Sequence, residues 1–468
     1  MLQFILNEQN IDTDLPSGMT MLDFVRYHQH LTGTKIGCRE GDCGACTILV
    51  GELINNELHY QSMTSCLMPI ANAAGKHIVT IEGINFPDGL NPIQQAMADE
   101  GATQCGFCTP GFIVSLAGFC LGNQAVTKEN AIAAVDGNIC RCTGYKSIER
   151  AAYKIADLTK TKNNSQTIDF LTSNKILPAY FSTIKNRLEK LQNETLPLPE
   201  ANTKFVGGGT DLYVQQHDKM TTSVSHYFFD NKALKNITIA DNICTVGASV
   251  TVAELLSSPI INKGFPSFPQ YAKLVSSTPI RNMATIAGNI VNASPIGDFT
   301  VFLLALNAKI VLSDGVQKRN LPLQKLYKGY KDLDKKTEEF IEAIQFVLPD
   351  ENTYFNFEKI SKRTHLDIAS VNTAVSLQLK NEIIETIHLS AGGVGPIPMY
   401  LAKTIKFLEG KNITEKNISE AIEVMWTEIS PISDARGTKE YKTLLLGQLI
   451  KAHFIQLFPQ QLANKIIV

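Results

Sequence analysis

No charge of either sign dominates this chain: 43 basic residues stand against 45 acidic ones, for a net charge of −2. That balance, with no lysine or arginine run, removes any electrostatic case for nucleic acid or a membrane surface as a partner. Long apolar runs are missing too. The strongest, VFLLALNAKIVL at 301–312, is broken by Asn307 and Lys309 and is too short to span a bilayer. The N-terminal MLQFILNEQN has no basic segment and its apolar stretch stops at Leu6. A secretory leader is therefore not expected, and a cytoplasmic location is. There is no internal repeat of fixed period and no low-complexity tract. Among nine histidines there is no HExxH and no Ser/His/Asp arrangement on which to hang hydrolytic chemistry.

What is present is an ordinary globular composition, 44% hydrophobic and 19% charged over 468 residues, enough for roughly three domains of about 150 residues. It also carries ten cysteines. In a reducing compartment these suggest metal ligands before disulfides.

Hydropathy patterns divide the chain into an α+β multidomain protein. Residues 1–84 hold short strand patterns (LQFILN, ACTILV, ELHYQS, HIVTIEG) and one helical stripe, SGMTMLDFVRYH, with Ser17 as its expected cap. Residues 85–160 change to four helical segments: NPIQQAMADEG, PGFIVSLAGFCLG, TKENAIAAVDG and KSIERAAYKIADL. The polar, aperiodic TKTKNNSQT at 159–167 marks a linker, set at 161–175. A mixed domain follows at 176–350. A last one, at 353–465, alternates strand patterns (TYFNFEKISK, ASVNTAVSLQLK, IIETIHLSAGG) with helical ones (MYLAKTIKFLEGK, TKEYKTLLLGQLIKAHF).

The cysteines fall in two sets. GCREGDCGACTILV places Cys38, Cys43 and Cys46 in a glycine-rich loop, and Cys66 follows after nineteen residues. This C-x4-C-x2-C…C spacing is the plant-type 2Fe-2S ligand pattern. Glycines suit it because backbone must approach sulfur closely and aim N–H groups at it. Four thiolates also suit structural zinc, although zinc sites usually bring paired C-x2-C knuckles, so the iron cluster is the favoured reading. The second set, Cys105 and Cys108 in TQCGFCTPG with Cys140 and Cys142 in GNICRCTGY, lies just before two helical segments, where unpaired N–H groups favour negative charge. By itself it could hold zinc; beside the first it suggests a second 2Fe-2S cluster. Cys120 and Cys244 sit on apolar segments and read as core.

Two further stretches need a reason. FVGGGTDL, residues 205–212, carries Gly207, Gly208 and Gly209, which would let backbone approach phosphate oxygens, with Thr210 as a hydroxyl donor. It is not G-x-G-x-x-G, so a Rossmann fold is not indicated, and a plain strand-to-helix turn fits equally. ATIAGNIVNASPIGD, with Ser294-Pro295 and Gly297-Asp298, could likewise be only a turn.

Taken together, the three motifs GCREGDCGACTILV, TQCGFCTPG and GNICRCTGY, with FVGGGTDL, RNMATIAGNIVNASPIGD and GGVGPIP, resemble the molybdenum hydroxylases, the family of xanthine dehydrogenases and aldehyde oxidases, over nearly the whole chain. The resemblance implies four modules. They are a β-grasp ferredoxin-like domain, a four-helix 2Fe-2S-binding domain, an α+β FAD-binding domain of the vanillyl-alcohol-oxidase (PCMH) type, and a C-terminal CO-dehydrogenase-flavoprotein-like lobe. It implies FAD held by Phe205, Val206, Gly207, Gly208, Gly209, Thr210, Asp211 and Leu212, and by Thr285, Gly288, Asn289, Ser294, Asp298 and Lys359. Gln104 matches a residue that hydrogen-bonds the pterin, and Tyr330 in YKGYKDL one near the nicotinamide. The motifs of this resemblance include no molybdopterin module, which it implies is on a separate chain. The implied function is therefore that of the iron–sulfur/FAD small subunit of a xanthine dehydrogenase, an oxidoreductase with no catalytic acid or base of its own. It would pass electrons from a molybdopterin-binding large subunit to NAD+, in a dimer of heterodimers. The alternatives are the equivalent subunit of an enzyme oxidising aldehydes, N-heterocycles or CO, and a zinc-stabilised interaction protein. Two departures stand out: Val275 replaces the expected phenylalanine against the flavin ring, and His365 replaces an acid beside Arg363.

Overall fold

The β-hairpin of strands Thr47–Ile54 and Glu57–Thr64 turns on Asn55 and Asn56, both at positive φ (51° and 64°), the geometry a two-residue hairpin turn requires. It forms one side of a five-stranded sheet in a computed structural model that describes residues 1–191, 203–363 and 366–462. The sheet order is 9–13, 2–6, 77–79, 47–54, 57–64. Strand Leu2–Leu6 pairs parallel with His77–Val79, and the chain between them supplies the helical turn Met21–His28. This is the β-grasp arrangement. The cap of that turn is Thr20 rather than Ser17: the Thr20 hydroxyl accepts the Asp23 N–H at 3.2 Å, while the Ser17 carbonyl is taken by Ala71.

Strand alternation fixes what packs where. Ile48 and Val50 face a core of Phe4, Met21, Leu22 and Phe24, whereas Leu49, pointing the other way, joins Phe112 and Leu116 of the helical module. That module has helices Pro92–Asp99, Thr109–Leu121, Lys128–Ala133 and Lys146–Leu158. Thr109–Leu121 is apolar all round and buried along nearly its whole length, as a central helix must be. The expected linker 161–175 is not irregular. It contains helix Thr167–Ser173, whose Leu171 is buried in this core, and Lys162 donates to the carbonyls of Cys120 and Gly122 at the end of the central helix. Its polar residues satisfy helix ends instead of marking flexible chain.

Packing groups Met1–Phe229 with Ser277–Ala284 as one unit, and Asp230–Ser276 with Thr285 onward as a second. The expected domain 176–350 is thus shared between them. Val206, Tyr213, Met220, Tyr227 and Met283 belong to the same apolar cluster as Phe4 and Met21.

Among the described residues, the second unit has two larger antiparallel sheets and the small hairpin of Tyr327–Gly329 with Asp332–Leu333. One sheet orders strands 318–322, 309–313, 340–347, 243–247 and 237–240. The other runs Thr353–Ile360, Val371–Lys380 and Ile383–Gly392, where the strand patterns predict, and ends on Met399–Tyr400, which the helical pattern MYLAKTIKFLEGK does not predict and which pairs instead with Ser390 and Ala391. Helices Ala402–Leu408, Glu415–Trp426 and Lys439–Leu457 cover it, sharing a core that includes Val375, Leu389, Ile405, Ile422 and Leu446. No helix among the described residues is long and apolar enough to cross a membrane.

Candidate functional site

All ten cysteines are free, and eight of them lie in two groups of neighbouring thiols. In the first quartet, Cys46 and Cys66 are buried and Cys38 and Cys43 half-buried. The Cys38 N–H points at the Cys43 sulfur (3.4 Å) and the Glu40 N–H at the Cys38 sulfur (3.3 Å). Cys38 pairs with Cys43, and Cys46 with Cys66. Within each pair one thiol is pushed down by its neighbour's hydrogen bond and the partner is pushed up. Amides of Glu40, Asp42 and Cys43 add to the fall at Cys38, and the Gly41 amide faces Cys66. The loop has no room for side chains at Gly44, which sits at φ +67°. A Cβ there would run into the Gly137 carbonyl and the Asn138 amide.

The second quartet also comes as two pairs. Cys105 and Cys142 are exposed with their sulfurs 3.7 Å apart, the separation of two thiolates sharing one tetrahedral metal. Cys108 caps helix Thr109–Leu121, and burial with the nearby Cys140 thiol pushes it up to about 12. At Cys140 burial opposes ionisation, yet the Thr143 hydroxyl (3.2 Å) and the amides of Thr143 and Cys142 hold the thiol below its usual value. Gln104 is exposed beside Cys105.

A tetrahedral zinc site needs four sulfurs around one point. Two thiol pairs per quartet, each lined by backbone N–H groups, fit a centre of two metals instead. The quartets are joined directly. The Ile139 N–H donates to the Cys43 carbonyl (3.0 Å), the Asn138 amide to the Gly44 carbonyl (3.1 Å), and Ser115 holds Asn138 in place (2.8 Å). Sequence reasoning missed Asn138 and Ile139, which carry no signal beyond adjacency to Cys140.

The flavin-site candidates lie in both units. In the first, strand Lys204–Val206 buries Val206 and stacks Phe205 on Phe228 (5.3 Å), then delivers Gly207–Gly209. Asn72 donates to the Gly207 carbonyl at 3.2 Å. A Cβ at Gly208 would overlap the Met283 carbonyl, so only glycine lets these strands of chain lie together. Thr210 and Asp211 lead into the short helix Leu212–Gln215, with Leu212 against the core.

In the second unit, Thr285 caps helix Ile286–Asn292 by accepting the Gly288 N–H at 3.1 Å. Asn289 accepts from Thr300 (3.4 Å), and Ser294 accepts the Ile296 N–H (3.4 Å). The two oxygens of Asp298 are taken by Lys359 (2.8 Å) and Asn372 (2.6 Å). Lys359 is buried, its ammonium also reaching the Leu274 carbonyl at 2.8 Å, so it is not a solvent-facing strand lysine. Val275 borders a small apolar cavity together with Phe268, Tyr271, Phe299, Phe302 and Phe357. Tyr330 is exposed at the tip of a hairpin that Tyr327 ties to the Ile290 carbonyl (3.1 Å) and Lys331 ties to Asn292. The Arg363 side chain donates to the Leu366 carbonyl at 2.7 Å, and His365 lies outside the described residues. Cys120 and Cys244 are core, as expected.

Comparison with known proteins finds four domain families in register with this geometry. A 2Fe-2S iron-sulfur cluster binding domain matches residues 4–71 and a 2Fe-2S binding domain residues 80–153. An FAD binding domain in molybdopterin dehydrogenase matches 179–349, and a CO dehydrogenase flavoprotein C-terminal domain 356–457. Xanthine dehydrogenase of Emericella nidulans is 28% identical over 88% of this chain and 35% of that protein. Xanthine dehydrogenase 1 of Arabidopsis thaliana is 26% identical over 90% and 37%. The chain thus spans little more than a third of the length of these relatives. The carbon monoxide dehydrogenase from Hydrogenophaga pseudoflava that lacks the Mo-pyranopterin moiety superposes with a TM-score of 0.53 at 23% identity, over 56% of this chain and 91% of that one. These matches establish the expected fold class, and the four domains in this order fit the iron–sulfur/FAD part of a molybdenum hydroxylase.

Proposed function

We propose that the chain is the electron-transfer subunit of a xanthine dehydrogenase, divided into modules at 1–84, 85–160, 176–350 and 353–465 with 161–175 between the second and third. The observation that carries this reading is the pair of cysteine quartets, each built as two thiol pairs and linked by the Ile139–Cys43 hydrogen bond. Cys38, Cys43, Cys46 and Cys66 would hold one 2Fe-2S cluster, and Cys105, Cys108, Cys140 and Cys142 the other. Bound here, the clusters would supply one-electron transfer and FAD the conversion to two-electron hydride delivery to NAD+.

The chain's own part is to hold and insulate. Amides of Glu40, Asp42 and Thr143 stabilise charge on sulfur. Gly207–Thr210 offers backbone to a phosphate, and Lys359 with Asn372 fixes the Asp298 carboxylate for a sugar hydroxyl. Tyr330 offers an exposed ring to a nicotinamide. Exposed Cys105 and Cys142, with Gln104 beside them, mark the face toward a molybdopterin-binding large subunit, where hypoxanthine and xanthine would be oxidised. The assembly would be a cytoplasmic dimer of heterodimers. Co-purification with that partner and an assay for xanthine-dependent NADH formation test the reading. An inert response to xanthine with turnover of an aldehyde would assign the chain to a sibling enzyme instead.

A further inference from the structure

Eight residues, Ser277–Ala284, belong to the first unit, although the chain on either side of them belongs to the second. Their contacts fall on both cysteine-bearing modules. On the helical module, Thr278 gives its N–H to Asp136 Oδ1 (2.7 Å), and its hydroxyl lies 3.1 Å from both Asp136 Oδ2 and the Ala133 carbonyl. Arg281 closes on the same carboxylate at 2.5 Å, with both side chains at most a tenth exposed. On the β-grasp module, Asn282 donates to the Ser62 carbonyl (2.8 Å), and the Thr64 hydroxyl meets the Met283 sulfur (3.5 Å). Ile280 fills the space a side chain on Gly41 would need, next to Leu67.

Asp136 also begins the turn that delivers the second quartet. Gly137, Asn138 and Ile139 follow it and end in Cys140. Asn138 and Ile139 are the two residues that hydrogen-bond the Gly44 and Cys43 carbonyls. Anything that holds Asp136 therefore holds the junction between quartets. We propose that Arg281 and Asp136 are a positioning pair: the strap 277–284 clamps this turn and so sets the spacing of the two cysteine quartets. Arg281 is neither a cysteine neighbour in sequence nor a ligand, and it acts through Asp136. Its Nη2 group donates both to Asp136 and to the Thr278 hydroxyl (2.8 Å), tying the two together. Removing one member of a buried pair leaves the other charge uncompensated and frees the turn.

The proposal rests on the cluster reading above for its spectroscopic arm but not for its exchange arm. In the full chain, Arg281→Gln is compared with wild type by amide hydrogen exchange at Ile139, iron content, and electron paramagnetic resonance of the reduced protein. The expected result is roughly ten-fold faster exchange at Ile139 and weaker spin–spin splitting between the centres, at unchanged iron content. Arg281→Lys, which keeps the charge, moves both back toward wild type. Arg319→Gln, which breaks a more exposed ion pair with Glu339 in the second unit, moves neither. Iron-loaded Arg281→Gln with exchange within about two-fold of wild type and unchanged splitting overturns the proposal. Should Arg281→Gln fail to fold, Thr278→Val, which loses only the hydroxyl, must still speed exchange at Ile139, and no change there overturns it equally. A wild-type chain carrying zinc instead of iron would end the cluster reading, and exchange at Ile139 would still decide the role of the pair.

Discussion

The Ile139 N–H donates to the Cys43 carbonyl oxygen at 3.0 Å, and Ile139 is bonded to Cys140. One hydrogen bond and a few covalent bonds thus separate a thiol of the first quartet from a thiol of the second. In the proposed function this junction would be a route for transfer between the two centres.

The quartets nonetheless rest on different supports, so they should be lost separately. Cys142 is exposed and its partner Cys105 equally so, whereas Cys46 and Cys66 are core residues. Cys142→Ala is expected to lower iron from about four to about two per chain and leave the first quartet's spectrum intact. Iron analysis and visible circular dichroism of the purified chain check this. Cys46→Ala should remove the other half and also lower stability, because its sulfur is part of the apolar cluster.

The second prediction concerns the buried ion pair. The side chains of Lys359 and Asp298 are 2% and 12% exposed and 2.8 Å apart. Lys359→Met leaves the carboxylate hydrogen-bonded to Asn372 but without its counter-charge, and breaking a buried pair from one side costs about 3–5 kcal/mol. Replacing both, as Lys359→Met with Asp298→Leu, should recover much of that loss while flavin content stays low. Urea unfolding and bound-flavin absorbance separate the two effects.

How much of this was legible beforehand depends on the residue. The eight cysteines stood out because thiolate spacing and glycine placement are local. The strands at 353–360, 371–380 and 383–392 and the helices at 402–408 and 439–457 stood out from their apolar patterns, whereas helix Glu415–Trp426 was missed and Met399–Tyr400 was read as helical. Strand Gln9–Thr13 was invisible: QNIDT lies at a sheet edge with mostly exposed side chains, so no alternation marks it. The helix within the expected linker was hidden by polar residues that end other helices. Arg281 and Asp136 were unreadable, because they meet only through folding across 145 residues. The same limit applies to Lys359, whose burial nothing in FEKISK announces.

Acid should destabilise both units through neutral buried histidines. Burial pushes His77 in the first unit and His453 in the second down to about 3, with His453 held by Asn356 (3.0 Å) and Thr373 (3.4 Å). The unfolded chain takes up those protons at about pH 6.5. Their contribution is therefore full above that pH and falls by about 1.4 kcal/mol per pH unit per histidine on acidification toward 3. His453→Gln should flatten the pH dependence of the second unit's urea midpoint between about pH 6.5 and 5 and leave the first unit's slope in place.

Gly208→Ala tests the flavin loop. Its Cβ would meet the Met283 backbone carbonyl, which cannot swing aside as a side chain could. The variant is expected to lose FAD while retaining both iron centres, read as a fall in flavin absorbance at constant iron. Retention of full flavin would remove this loop from the cofactor site.

The most direct measurement is the metal, sulfide and flavin content of the intact chain purified without air. Two thiol-paired quartets and one flavin site predict about four iron atoms, four acid-labile sulfides and one FAD per chain. Zinc in place of iron, with no labile sulfide and no flavin, would contradict the account at its root.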